Sequence, residues 1–179
     1  MNSEKIKQIL PKVALILGII SIIMIFFAAV KVSMMGMSDT CNGLNAIFGY
    51  KDVDSYGNKI QIFGFSFWAL LPYVFGLGAG ILAFIGYKKD NKLYKLASAV
   101  LFLVATILFF CMVDLIVIDP EAFQTQLTEE ELERAINLFK SFMSTAFGTV
   151  FGGICCIFGM IIVLLDVFFD KIVTFFKKA

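Results

Sequence analysis

Residues 60–87 read IQIFGFSFWALLPYVFGLGAGILAFIGY, about 28 residues without a charged side chain, closed by Lys59 and Lys88. About 20 apolar residues cross the hydrocarbon core of a bilayer, so this run spans it with length to spare. Within it Ala69, Tyr73, Gly76, Gly80, Ala83 and Tyr87 recur at alternating four- and three-residue steps. That mostly small stripe lets a second helix backbone lie close. Pro72 removes one backbone donor, which a membrane helix tolerates when its neighbours compensate.

Three further runs follow the same logic, and the expected spans are about 12–32, 62–87, 95–118 and 141–165. The composition agrees: 60% hydrophobic, 16% charged, mean hydropathy +0.91. Soluble domains carry about 25% charged residues, so the chain reads as one integral membrane domain over 1–179. The first apolar run, 13–30, follows the basic segment MNSEKIKQILPK. It exceeds the roughly 7–15 residues of a signal-peptide core and lacks an A-x-A site beyond Ala28 and Ala29, so an uncleaved anchor is expected. Its narrow seam runs through Ala14, Gly18, Ser21, Ile25 and Ala28; the fourth span has its own in Ser141, Thr145, Gly148, Gly152, Cys155 and Gly159. Gly18, Gly76, Gly80, Gly148, Gly152 and Gly159 are therefore the candidate helix-packing positions.

Two loops, 33–61 and 119–140, leave the membrane. Asp54-Ser55-Tyr56-Gly57-Asn58 is a turn signal flanked by aromatic and β-branched residues over 44–50 and 59–65, so a short hairpin is expected there, with an irregular loop as the alternative. In the second loop Thr128 and Glu131 have capping-box spacing, with Leu127 and Leu132 at the staple positions. Leu132, Ala135, Ile136, Phe139 and Met143 then repeat with helical period. The pattern predicts an amphipathic helix from Glu129 running without a break into the fourth span. Beyond that span, 166–179 reads either as an interfacial tail or as the last turns of the helix.

Ten of the fifteen Lys and Arg residues lie in the N-terminal flank, the turn after residue 87 and the C-terminal tail. The positive-inside rule therefore places both termini in the cytoplasm and both loops outside. The fold class expected is an all-α antiparallel four-helix membrane bundle with a small extracytoplasmic hairpin and an outer helix continuous with the fourth span.

Chemistry is sparsely signalled. The chain has no histidine, and no P-loop, CxxC, GxSxG or HExxH pattern. No enzyme, cofactor, metal or nucleic-acid role is expected. Cys111, Cys155 and Cys156 sit in apolar runs as small hydrophobes, and Cys41 alone lies in a loop. Lys31 and Asp114 end the first and third spans at similar depth, as an ion pair, as separate interfacial charges or as part of an ion or substrate site. At the opposite end Asp166 awaits Lys171 or a lysine of the middle turn. The acidic run 121–133 reads as a solvated helix face, with attraction of cations or a basic partner as the alternative, and its Glu129, Glu130 and Glu131 suit a helix N-terminus.

Three stretches carry a resemblance: residues 12–31, Cys41-Asn42-Gly43-Leu44-Asn45-Ala46-Ile47-Phe48-Gly49-Tyr50, and Phe65-Ser66-Phe67-Trp68-Ala69-Leu70-Leu71-Pro72-Tyr73. Over roughly the first 110 residues the chain resembles small four-helix integral membrane proteins of low-GC Gram-positive bacteria, a group to which no activity is assigned. The resemblance implies a bacterial plasma membrane. The layout is also similar in shape to the claudin-like arrangement, although the claudin loop motif is absent and only Gly43-Leu44 and Cys41 echo it.

The functional expectation is an interaction or accessory subunit that packs with itself or with another membrane protein, with Phe48 and Phe139 on its recognition surface. The alternative is a small oligomeric channel or transporter for an ion or small molecule, with Lys31 and Asp114 near its mouth. A lipid bilayer is the expected partner of either.

Overall fold

The computed structural model describes residues 3–34, 37–53, 59–123 and 127–178. Among them the protein is mostly helical, with four helices long and apolar enough to cross a membrane: 6–26, 67–88, 92–110 and 147–169. A small sheet and a hairpin accompany them, so the mostly helical class holds and the strands exceed the one hairpin expected. The chain divides into two compact units. The helical unit comprises residues 1–23, 72–107 and 152–179; the sheet unit comprises 24–71 and 108–151.

Helix α1 (Ser3–Ile23) carries Pro11 inside it, and a short 3-10 turn over Met24–Phe26 ends it. The expected first span ran to residue 32. Instead β1 (Ala28–Met34) begins there. Past an irregularity between Ala28 and Val30 its side chains alternate: Val30 is buried and Val32 half-buried, whereas Lys31 and Ser33 are exposed. Period-two alternation with β-branched Val30 and Val32 favours a pleated strand over another helical turn.

Strand β1 pairs antiparallel with β2 (Met37–Asn42), bringing Val30 opposite Cys41 and Val32 opposite Asp39. Asn42 then caps α2 (Gly43–Phe48), its side chain accepting from the Asn45 amide at 2.8 Å. This overturns the upstream half of the expected hairpin, because a capped Asn-Gly-Leu-Asn start satisfies orphan helix amides locally. Gly49 follows at φ 103°, a conformation that L side chains rarely adopt, and a Cβ there would lie 2.8 Å from the Phe63 carbonyl. The hairpin itself forms one step later, between β3 (Tyr50–Val53) and β4 (Lys59–Phe63). The turn expected over Asp54-Ser55-Tyr56-Gly57-Asn58 lies outside the described residues.

Because β4 takes Ile62 and Phe63, α3 (Phe67–Lys88) starts later than the expected residue 62. Helix α4 (Lys92–Phe110) stops short of 118, followed by one turn, α5 (Met112–Leu115), and an extended piece. That piece is anchored by Gly64 N donating to Val117 O at 2.9 Å and Asp119 N to Ile62 O at 3.0 Å.

The capping box is present: α6 (Glu129–Ser141) starts with the Thr128 amide donating to Glu131 Oε2 at 3.0 Å. Its continuity with the fourth span is not. Strand β5 (Met143–Thr145) intervenes, pairing with β1 through Val30–Thr145, Lys31–Ser144 and Val32–Met143, and α7 (Phe147–Lys178) begins after it. The sheet order is β2-β1-β5. A backbone committed to that ladder cannot continue as helix, so the hydrophobic period across Met143 misleads.

In the helical unit, helices meet at backbone distance. A Cβ on Gly18 would stand 2.8 Å from Gly76 O and 3.1 Å from Gly80 Cα. One on Gly76 would run into the Ser21 hydroxyl, and one on Gly159 would sit 2.7 Å from the Phe102 ring. Gly78, on the same helix, has nothing within 4 Å of its Cβ position. Overpacking costs roughly 1–3 kcal/mol, whereas a Gly to Ala change in an open helical site stabilises by up to about 1 kcal/mol. Gly18→Ala should therefore lower the thermal unfolding midpoint in detergent and Gly78→Ala should hold or raise it; equal midpoints would contradict the α1–α3 contact.

Candidate functional site

The six glycines fall into separate places. Gly18, Gly76 and Gly80 come together where α1 meets α3, and Gly159 receives the Phe102 ring between α4 and α7. Gly152 is buried in α7. Gly148 belongs to the sheet unit, where a Cβ would lie 2.8 Å from Ala28 O and 3.1 Å from Met24 O. It seats the start of α7 on the entry to β1. Thr149 Oγ1 donates to Ala29 O at 2.9 Å, and Ala146 N reaches the same oxygen at 2.9 Å. Gly18, Gly80 and Gly148 meet backbone, whereas Gly76 and Gly159 meet side chains.

Lys31 and Asp114 are not joined. Lys31 lies on the exposed face of the sheet, paired in register with Thr40 and Ser144. Asp114 is exposed on α5, and no ion pair links the two. The cation near Asp114 is Lys140, whose Nζ donates to the Asp114 carbonyl at 3.1 Å. Sequence order held a signal for it: Lys140 approaches the fourth span at about the depth where Asp114 leaves the third. Both line an open groove of about 500 Å³ with Trp68, Ile136 and the extended residues 115–118.

Phe48 and Phe139 differ in kind. Phe48 is 63% exposed at the end of α2, its ring 6.2 Å from that of Phe65, itself 59% exposed. It walls a groove of about 410 Å³ with Asn45, Gly49, Tyr50, Lys51 and Gln61. Phe139 is half-buried, edge-on to Phe123 at 6.4 Å. It closes a smaller cavity of about 200 Å³ with Val32, Cys41, Ile62, Phe63 and the carboxylates Asp39 and Asp52. Burial, with Asp39 adding its charge, pushes the Cys41 thiol up to about 12. The thiolate is the nucleophile, so Cys41 is held as an inert apolar filler at neutral pH.

Asp166 finds its partner in a lysine of the middle turn. Lys95 Nζ lies 2.7 Å from Asp166 Oδ2, and the two side chains are only 10% and 7% exposed. Leu10, Pro11, Ala83, Ile162 and Val163 surround them, and the gap they share admits no water-sized molecule. The Lys95 ammonium also lies 6.0 Å from the Tyr87 ring centroid. A dry pair of this kind stands on mutual neutralisation. The other expected partner, Lys171, has its side chain outside the described set. Among the described residues, no three His, Cys, Asp or Glu side chains gather in a metal-holding group.

Removing one partner of a buried pair costs about 3–5 kcal/mol, while replacing both by apolar groups is often neutral or stabilising. Lys95→Met or Asp166→Leu alone should therefore sharply lower the unfolding midpoint, and the double variant should recover most of the loss. Additive losses would show that the pair is not coupled. Glu131 offers a pH test. The Thr128 amide, and secondly its hydroxyl, hold the Glu131 carboxyl below its ordinary 4.5. A depressed folded value means that the cap is complete above the unfolded value and is lost as pH falls through the folded one. Protection of the Thr128 amide against hydrogen exchange, corrected for the intrinsic rate, should fall below pH 4.5. In Glu131→Gln that step should disappear.

Compared with family models, curated proteins and solved structures, the chain matches none of them, and its own geometry carries the functional reading.

Proposed function

We propose that the chain is a multi-pass plasma-membrane protein of non-enzymatic type, an interaction or accessory subunit that packs with itself or with another membrane protein. In this reading the four apolar helices form an antiparallel bundle, both termini are cytoplasmic, and the sheet unit is a cap outside the cell. The orientation is supported by the ten Lys and Arg residues that fall together in the two termini and the turn after residue 87. The bacterial setting is supported by the resemblance of residues 12–31, 41–50 and 65–73.

The observation that carries the reading is Phe48. An aromatic ring left 63% exposed beside an exposed Phe65, on a short helix packed into the sheet unit, is an unburied anchor. The groove it walls is lined by Asn45, Lys51 and Gln61, whose side chains carry hydrogen-bond donors, while the Tyr50 hydroxyl donates to Asp39 at 3.4 Å. An apolar anchor ringed by donors suits a protein surface better than acyl chains, which offer no acceptors. Phe139, half-buried and edge-on to Phe123, is the second aromatic of this reading.

One observation favours the runner-up, a small oligomeric channel or transporter. The buried Lys95–Asp166 pair sits in the end turns of helices apolar enough to span, and buried ionisable groups in spans are candidate ion or proton sites. Its dry surroundings weigh against that path.

The deciding experiment is purification of the intact protein from native membranes in mild detergent, with the complex weighed, for the wild type and for Phe48→Ser. A hot-spot truncation of about 1.4 kcal/mol or more is tenfold in affinity. The expected result is a stoichiometric partner or homo-oligomer that Phe48→Ser weakens about tenfold without changing the unfolding midpoint. A wild-type monomer with no partner, or a complex indifferent to Phe48→Ser, would sink this reading. Flux abolished by Asp166→Asn in a folded protein would establish the runner-up.

A further inference from the structure

The groove beside Asp114 has a composition that the accessory-subunit reading does not use. Its floor is apolar, built from Leu115, Ile116, Val117 and Ile118 with Ile136. Its polar equipment is one carboxylate, one ammonium and one indole: Asp114, Lys140 and Trp68. The Lys140 ammonium is held at the Asp114 carbonyl at 3.1 Å, so the bond uses the backbone oxygen of Asp114 and not its exposed carboxylate. Trp68 is 62% exposed. Its volume of about 500 Å³ falls within the range of about 300–1,000 Å³ usual for ligand sites.

The position along the chain matters as much as the composition. Trp68 is in the first turn of the span 67–88, and Asp114 follows the end of the span 92–110 by a few residues. Spans end where hydrocarbon gives way to headgroups, and tryptophan is enriched at that level. With these helices read as spans, the groove opens at headgroup depth.

We propose that this groove holds the headgroup of a zwitterionic phospholipid, with Lys140 on the phosphate and Asp114 and Trp68 on the amine. A phosphate accepts charge-assisted hydrogen bonds from an ammonium. An alkylammonium is drawn both to a carboxylate and to the face of an indole. The two protein charges are of opposite sign, as are the two lipid charges. An anionic headgroup without an amine satisfies Lys140 but sets its own charge against Asp114. The proposal rests on the reading of the four helices as membrane spans.

Trp68 is the single tryptophan of the chain, so its emission reports this groove alone. The full-length protein in a neutral maltoside detergent is titrated with dihexanoyl phosphatidylethanolamine, dihexanoyl phosphatidylglycerol and water-soluble glycerophosphoethanolamine. The expected result is a saturable Trp68 shift with phosphatidylethanolamine, at least tenfold weaker binding of phosphatidylglycerol, and no shift with the chain-free headgroup. Asp114→Asn, which leaves the Lys140 bond to the carbonyl in place, should weaken phosphatidylethanolamine about tenfold and bring the two lipids together. Lys140→Gln should weaken both. A Trp68 that does not respond, equal binding of the two lipids, or an Asp114→Asn variant that binds like the wild type overturns the proposal. Full binding of glycerophosphoethanolamine replaces the lipid by a soluble ligand and overturns it as well. Flotation of the detergent-free protein with phosphatidylethanolamine vesicles separates the two readings. Failure to float removes the membrane reading and the proposal together, whereas flotation with a silent Trp68 removes only the proposal.

Discussion

Strand β1 needs two neighbours, and the sheet unit is arranged to supply them. Its amides and carbonyls over 28–34 are satisfied on one side by β2, only a few residues on in the chain, and on the other by β5, more than a hundred residues later. An unpaired central strand would leave a row of buried polar groups at a cost of about 1–3 kcal/mol each. Closing the ladder fixes much else. It ends α1 at Ile23, separates α6 from α7, and sets the start of α7 so that Gly148 meets the Ala28 and Met24 carbonyls. The side-chain face shared by Val30, Cys41 and Met143 is buried, and the face shared by Lys31, Thr40 and Ser144 is exposed. Lys31 is thereby turned away from any role beside Asp114.

The helical unit solves a different problem. Helices in lipid gain little from burying apolar surface against each other, so close packing and internal polar bonds must hold them. The glycine contacts supply the first: Gly18 on Gly76 and Gly80, and Gly159 on Phe102. Ser98 Oγ donating to Ala79 O at 2.7 Å and the Lys95–Asp166 pair supply the second. A charge pair in dry surroundings contributes register more than net stability, since each ion repays the other's desolvation.

The two candidate recognition surfaces lie in the sheet unit and differ in chemistry. The Phe48 groove joins an aromatic anchor to amides and an ammonium, a combination suited to protein. The Trp68 groove joins two opposite charges to an apolar floor at the level where spans end. The residues that line one are distinct from those that line the other.

Much of this was written in local sequence. Apolar runs between lysines announce the four candidate spans, because the cost of burying charge in hydrocarbon is paid residue by residue. Thr128 and Glu131 announce the start of α6, because a capping box closes within four residues. The small-residue steps through Gly18, Gly76 and Gly80 announce a close helix contact, since only a missing Cβ permits it. What tertiary structure alone decided is every feature whose partner lies far along the chain. Val30 is a strand residue because Thr145 comes to lie beside it, although helical hydropathy continues through residue 32. Met143 leaves the helical period for the same reason. Lys140 donates to the Asp114 backbone carbonyl, and Asp166 pairs with Lys95. Ladders and ion pairs are settled by which groups meet in space, a relation that periodicity along one segment does not encode.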